Sequence, residues 1–158
     1  MKPTSLKQAL EHVDSATTAL ISPQGVTPFV RLKQSRWMGG APASVVVFCA
    51  DMSNTLRAMT ALDGAVDAFC AMPATLGVDD IAALLAQWPF DIVITDGGAE
   101  TQDMFAAHGL TCLNMDDALT NDGAAQDTRA TKWLVPTYGT TSTPKLVFHS
   151  FVSLTRTA

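Results

Sequence analysis

The residues best suited to chemistry lie together in the segment TYGTTSTPK, residues 137–145. Six of these nine residues carry a hydroxyl group, and the other three are Gly139, Pro144 and Lys145. We call residues 137–145 the hydroxyl-rich segment. A plain turn does not need so many Thr and Ser side chains, whereas a ligand with many oxygen atoms would use them. The segment therefore directs attention to oxygen-rich, anionic ligands.

Phosphate is the anion that this composition fits. Proteins bind phosphate with backbone N–H groups, hydroxyl donors and lysine, held on a tight turn that contains glycine. Gly139 permits close approach of the backbone, and Lys145 supplies a mobile positive charge. Residues 132–158 contain three basic residues and no Asp or Glu, which also suits an anion. The alternative interpretation is a hydroxyl-rich β-turn that binds nothing.

The common nucleotide-binding loop GxxxxGK[ST] is absent, because no Gly-Lys pair occurs in the sequence. The segment therefore predicts a phosphate loop of another design. No GxGxxG follows the apolar run VVVFC at residues 45–49, which argues against a dinucleotide-binding fold. The three Cys and three His are scattered without the spacing of a metal site, so we expect no metal ion bound by protein side chains. We assign no catalytic residue.

Composition limits the class of protein. The chain has 158 residues, of which 47% are hydrophobic and 16% charged, and this predicts a single globular domain. A net charge of −5 argues against a nucleic-acid partner. No apolar run is long enough to cross a bilayer, so no membrane association is expected. The cysteines lie in apolar runs and none is in a CxxC pair, which indicates reduced thiols in a cytoplasmic protein.

The first 40 residues show less regular patterning than those that follow. Residues 4–18 predict an amphipathic helix that Thr4 or Ser5 can cap. Residues 18–23 and 27–32 predict two short strands around a turn at Pro23-Gln24-Gly25. Residues 35–43 read as a loop. This part of the chain is therefore predicted to hold a helix and a β-turn-β unit.

Strands and helices then alternate. Strands are predicted at 44–50, 65–73, 90–96 and 110–115, and helices at 53–64, 77–88 and 99–109. Ser53 is the expected cap of the first of these helices, and Asp79 and Asp80 lie in the first turn of the second. Such alternation predicts an α/β fold with a mainly parallel sheet flanked by helices.

Residues 116–131 interrupt the alternation with small, polar and acidic residues, and predict an exposed loop with room for a short helical turn. Residues 132–137 and 145–150 predict two strands that flank the hydroxyl-rich segment. We therefore divide the predicted single domain 1–158 into an amino-terminal part (1–40), a βα core (41–115), an acidic loop (116–131) and the phosphate loop with its following strand (132–158).

The stretch PTYGTTSTPKLVFH, residues 136–149, resembles the phosphate loop of the adenylate-forming superfamily, which contains acyl- and aryl-CoA synthetases, peptide-synthetase adenylation domains and luciferases. Its pattern, TSGTTGxPK followed by an apolar run and often a His, is matched position by position at Thr137, Gly139, Thr140, Thr141, Pro144 and Lys145. Tyr138 stands where the family usually has a small residue, and Ser142 where it usually has Gly. The predicted order of the preceding elements also fits the family.

The resemblance implies a two-step reaction. A small carboxylic acid and ATP, with Mg²⁺, would give an acyl-adenylate and pyrophosphate, and the thiol of CoA or of a phosphopantetheine carrier would then accept the acyl group. Thr140, Thr141, Thr143 and Lys145 would contact the departing pyrophosphate, while Thr137 and Ser142 shape the loop. The implied nucleotide-binding residues are Thr137, Gly139, Thr140, Thr141, Ser142, Thr143 and Lys145.

Family enzymes are several times longer than 158 residues, so we expect an amino-terminal piece of such a ligase, inactive by itself. Two alternatives stay open at this point. The first is a non-enzymatic α/β module that forms a homodimer or binds a partner through exposed apolar surface. The second is an unrelated α/β domain with a fortuitous turn. The sequence does not identify the carboxylic acid or choose between CoA and a carrier protein.

Overall fold

The computed structural model describes residues 3–40, 43–122, 129–138 and 143–156. The amino-terminal part consists of helix α1 (Leu6–Leu10), the antiparallel strands β1 (Thr18–Ser22) and β2 (Gly25–Pro28), helix α2 (Phe29–Gln34) and the short strand β3 (Arg36–Trp37). Ser5 caps α1 by accepting the backbone N–H of Gln8. The helix and β-turn-β unit predicted here are therefore present, with different bounds.

Two of the predicted bounds in this part are wrong. The first helix ends at Leu10, well before residue 18, because Asp14 accepts the backbone N–H of Ala16 and forms a turn. The predicted strand at 27–32 ends at Pro28, and a helix begins at Phe29. A short apolar run fits both the two-residue period of a strand and the helical period of about 3.6 residues. Burial of Leu32 against the rest of the fold favours the helix.

The centre of the fold is a six-stranded sheet. Its strands are β4 (Ser44–Phe48), β5 (Ala68–Ala71), β6 (Ile92–Thr95), β7 (Thr111–Leu113), β9 (Lys132–Thr137) and β10 (Lys145–His149), with β8 described below. Their order is β10-β9-β5-β4-β6-β7. All neighbouring pairs are parallel except β9 and β10, which form an antiparallel hairpin. The predicted α/β fold with a mainly parallel sheet is therefore confirmed.

The surroundings of strand β4 explain why its residues form an unbroken apolar run. Val45 and Val47 face one hydrophobic core, and Val46 and Phe48 face a second core on the opposite side of the sheet. The three valines are fully buried. Helices cover both faces, so neither face of the strand can be polar.

Three helices connect the parallel strands, namely α3 (Met52–Leu62), α4 (Val78–Leu85) and α5 (Ala99–Ala107). The predicted cap of α3 is corrected: Asp51, and not Ser53, is the N-cap, and its carboxylate accepts the backbone N–H of Ser53. Asp79 and Asp80 lie in the first turn of α4 as predicted, where they complement the helix dipole. None of the helices in the described part of the chain is both long and apolar enough to cross a membrane.

Three elements that follow β7 were not clearly indicated by the sequence. Helix α6 (Met115–Ala118) is the short helical turn allowed for near the acidic loop, and β8 (Leu119–Thr120) pairs antiparallel with β3. Helix α7 (Phe151–Leu154) follows β10, where only a strand was predicted. Ser150 caps α7 and forms a reciprocal capping box with Ser153, which takes the place of the usual Glu or Gln.

Candidate phosphate-binding site

The hairpin of β9 and β10 brings the two ends of the hydroxyl-rich segment together. Thr137, the last residue of β9, pairs with Lys145, the first residue of β10. The Thr137 hydroxyl donates a hydrogen bond to the backbone carbonyl of Lys145 at 3.2 Å. The proton of this hydroxyl is therefore used inside the hairpin, and the shaping role that the resemblance implies for Thr137 stays a prediction.

The structure describes three of the seven predicted nucleotide-binding residues. Thr137, Thr143 and Lys145 are all exposed to solvent. The positions predicted for Gly139, Thr140, Thr141 and Ser142 lie outside the described residues. Neither of the two ion pairs among the described residues involves Lys145.

Gln87 holds the exit of the segment, and the sequence gave no signal for it. This residue lies just after α4 and reaches the outer edge of β10. Its Nε2 donates to the carbonyl of Pro144, and its Oε1 accepts the backbone N–H of Leu146, both at 2.9 Å. Nε2 also donates to the carbonyl of Ala83 at 2.9 Å, within the same helical turn. A glutamine at the end of a helix has no distinctive spacing, so only the folded chain reveals this contact.

Trp88, the residue after Gln87, contacts the same hairpin. The Lys132 ammonium, at the start of β9, lies 5.3 Å from the ring centroid of Trp88 and 6.0 Å from that of Phe148 in β10. Both distances are in the range of cation–π attraction. The Trp88 indole N–H donates to the hydroxyl of Ser44 at 3.0 Å. The turn after α4 is thus bonded both to the hairpin and to the first strand of the central sheet.

Tyr138, which departs from the family pattern, points into solvent with 57% of its surface exposed. Desolvation, followed by the negative charge of Asp80, raises the pKa of its phenol. Asp80 belongs to the first turn of α4.

A second polar region lies at the carboxyl ends of β4 and β6. The Asp96 carboxylate accepts the backbone N–H groups of Ala50 and Asp51 and the side-chain amide of Asn54. Asn54 and Asp96 line a cavity of about 330 Å³ together with Arg57, whose pKa is lowered by burial and then by Arg31. Sequence reasoning did not single out this region, because its residues come from separate elements. No group of three or more His, Cys, Asp or Glu in the described ranges is arranged to hold a metal ion.

Comparison with solved structures identifies the class of fold. The chain is similar to the ATP-bound form of MatB from Rhodopseudomonas palustris, with a TM-score of 0.66 and 16% identity over 94% of this chain and 35% of that one. It is similar to the o-succinylbenzoate CoA synthetase MenE from Bacillus subtilis in complex with the acyl-adenylate intermediate, with a TM-score of 0.59, 14% identity, and coverage of 92% of this chain and 42% of that one. It is also similar to McyG A-PCP complexed with phenylalanyl-adenylate, with a TM-score of 0.55, 13% identity, and coverage of 82% and 25%.

These neighbours are adenylate-forming enzymes, and the chain has the fold of a part of such an enzyme. It spans between a quarter and about two fifths of the length of these neighbours. Neither the family models nor the curated protein sequences give a match.

Proposed function

We propose that the chain forms the phosphate-loop part of an ATP-dependent carboxylate-activating ligase of the acyl- or aryl-CoA synthetase kind. The observation that carries this proposal is the pairing of Thr137 with Lys145 at the mouth of a hydroxyl-rich hairpin, in a fold shared with adenylate-forming enzymes. The shared fold and the matched loop residues together favour this function over a fortuitous turn in an unrelated domain.

The residues of the segment have distinct proposed roles. Thr140, Thr141, Thr143 and Lys145 bind the β- and γ-phosphates of ATP, and Thr137, Gly139 and Ser142 shape the backbone around them. Mg²⁺ neutralises part of the phosphate charge. The exposed Lys145, without an ion pair to a described residue, fits this anionic ligand. One neighbour binds ATP, and another binds ATP with a magnesium ion, which supports the choice of nucleotide.

The proposed chemistry is adenylation of a small carboxylic acid. The carboxylate oxygen attacks the α-phosphorus, the bond from that phosphorus to the bridging oxygen breaks, and pyrophosphate leaves. The loop acts by positioning and by electrostatic stabilisation of the departing charge. We propose CoA or a phosphopantetheine carrier as the acceptor of the acyl group, and the cytoplasm as the location.

The structural neighbours are much longer than this chain. We therefore propose that the 158-residue chain binds phosphate groups but does not turn over substrate alone. Calorimetric titration with ATP and Mg²⁺, and separately with pyrophosphate, tests the binding. Lys145→Ala should weaken it about tenfold, because a charge-assisted contact is lost, whereas Lys33→Ala, remote on α2, removes the same charge and should not. Absence of binding at millimolar ligand, or equal weakening by both variants, would contradict the proposal.

A second candidate function is self-association, which a specific surface favours. Phe148 on β10 and Val152 on α7 are 58% and 46% exposed, and Val147 on β10 is also exposed. Exposed apolar side chains of this kind favour contact with another chain.

Light scattering across a concentration series tests this association. We expect a homodimer that Phe148→Ser disrupts, and we expect Ile21→Ser, which changes another exposed apolar residue on β1, to leave it intact. A monomer at all concentrations would rule out this candidate.

A further inference from the structure

We propose that Gln87 is a positioning residue that presets Lys145 for phosphate. This inference rests on the proposed function, since it assigns a role to a residue outside the hydroxyl-rich segment in the work of that segment. It concerns the order of the backbone at Lys145, and this order can be measured by hydrogen exchange without any nucleotide.

The two backbone groups that Gln87 binds lie on either side of Lys145. Its amide N–H reaches the carbonyl of Pro144, and its amide oxygen receives the N–H of Leu146, each at 2.9 Å. A backbone carbonyl can only accept and a backbone N–H can only donate, so these partners fix which end of the side-chain amide faces which residue. The second amide hydrogen binds Ala83 at 2.9 Å, so both donors of Gln87 are used.

The same lysine is held from the other edge of the strand. Strand β9 pairs with β10 there, and the Thr137 hydroxyl donates to the Lys145 carbonyl. On its outer edge β10 has no neighbouring strand in the described sheet, and Gln87 supplies the donor and acceptor that such a strand would offer. The backbone at Lys145 is therefore bonded on both sides, while the lysine side chain is exposed.

The consequence for binding follows from the flexibility of lysine. A lysine side chain is a flexible four-carbon stem that ends in a point charge. The positions that its ammonium can occupy are therefore set mainly by where its Cα lies. A backbone held in one register lowers the ordering cost when the ammonium meets an anion. Pro144 is buried, and its carbonyl contact with Gln87 is partly buried. Loss of the amide should thus weaken phosphate binding without removing any group that contacts phosphate.

Gln87→Met tests this inference, because methionine keeps the length and packing of the side chain and removes its three hydrogen bonds, to Ala83, Pro144 and Leu146. Gln102→Met is the matched control, since Gln102 lies on α5 and donates to Gly97, away from the hairpin. We expect the amide of Leu146 to exchange with solvent about tenfold faster in Gln87→Met, as loss of one hydrogen bond implies. We expect the dissociation constant for pyrophosphate to rise several-fold in that variant and to stay unchanged in Gln102→Met.

Gln87→Glu adds a readout that a purely structural role would not move. An ionised glutamate still accepts from Leu146 but repels the Pro144 carbonyl, whereas a protonated one can donate to it. The affinity of Gln87→Glu for pyrophosphate, divided by that of the unmodified chain at the same pH, should therefore rise as pH falls toward the ordinary glutamate pKa of about 4.3. A ratio that does not change with pH would overturn the positioning role.

The outcomes separate this inference from the proposed function. If the unmodified chain does not bind pyrophosphate, both fail. If it binds and Lys145→Ala weakens binding, but Gln87→Met binds as well as the unmodified chain, the proposed function stands and this inference is overturned. Unchanged exchange at Leu146 in Gln87→Met would also overturn it.

Discussion

The carboxylate of Asp63 accepts a hydrogen bond from the indole Nε1 of Trp133 at 2.9 Å, across 70 positions of sequence. Asp63 follows α3 directly and is 4% exposed, and Trp133 lies in β9. The other carboxylate oxygen accepts the backbone N–H of Leu6 in α1. One buried carboxylate therefore joins the amino-terminal helix, the first crossover helix and the strand that leads into the hydroxyl-rich segment.

Asp63 makes stability depend on pH. Burial raises its pKa above the ordinary value of 3.8, and the hydrogen bonds from Leu6 and Trp133 oppose that rise. A raised carboxyl pKa means that the folded state holds the proton more tightly than the unfolded state. The stabilising contribution is therefore complete below pH 3.8 and is lost as pH rises through the folded-state pKa.

Urea unfolding over a pH series measures this dependence. The free energy of unfolding of the unmodified chain, minus that of Asp63→Asn, should fall as pH rises through the acid range. Asp103 is an exposed residue on α5. The free energy of unfolding of the unmodified chain minus that of Asp103→Asn therefore corrects for the removal of one charge. A pH-independent difference for Asp63→Asn would contradict the assignment.

Thr131 is expected to stabilise the start of β9. Its buried hydroxyl accepts the backbone N–H of Gly64 at 2.9 Å and donates to the carbonyl of Val66 at 2.7 Å. Thr131→Val keeps the shape and leaves both backbone groups without this partner, which should lower the free energy of unfolding by about 2 kcal/mol. Denaturant unfolding measures the change, and Thr111→Val, at an exposed strand position, is the control. Equal stabilities for the two variants would show that the hydroxyl bridge contributes nothing.

Two adjacent glycines provide a test of packing around Trp37. A Cβ at Gly39 would lie 2.1 Å from Cζ2 of Trp37, a buried ring, whereas a Cβ at Gly40 would meet nothing within 4 Å. Gly39→Ala should therefore lower the free energy of unfolding by about 1–3 kcal/mol, the usual cost of overpacking. Gly40→Ala should change it by no more than about 0.5 kcal/mol, as exposed substitutions do. Thermal unfolding of the two variants side by side measures this difference. A Gly39→Ala variant more stable than Gly40→Ala would refute this account.

The cysteines should differ in reactivity. Burial raises the pKa of Cys49, with a further contribution from Asp96, and that of Cys70, each to about 12. The thiolate is the reactive form, so both should resist a disulfide reagent at neutral pH while the protein is folded. Cys112 is only partly buried and should react first. Labelling with a thiol reagent, followed by mass mapping, should find Cys112 alone in the native protein and all three thiols in denaturant. Rapid native labelling of Cys70 would contradict the observed burial.

The hydrophobic patterning predicted most of the fold. The run at Val45–Val47 indicated a strand covered on both faces, and the alternation of strands and helices indicated a parallel sheet, because each pattern reports directly on which side chains must leave water. The residues Phe29–Leu32 were wrongly assigned to a strand. A few apolar residues fit both the strand period and the helix period, and packing chooses between them. The cap of α3 was misplaced by two residues because Asp51 and Ser53 are equally good cap residues, and only the backbone conformation shows which one lies at the helix end.

For the candidate site, the sequence alone determined which residue types are present and that they are spaced as in a phosphate loop, since those properties are local. The tertiary structure decided which distant residues support them. Gln87 lies 57 positions before Pro144, and Asp63 and Trp133 meet across 70. Such contacts arise from the order of strands in the sheet, which depends on how all the elements pack their apolar faces together. No local pattern encodes it, so the support of Lys145 became visible only in the folded chain.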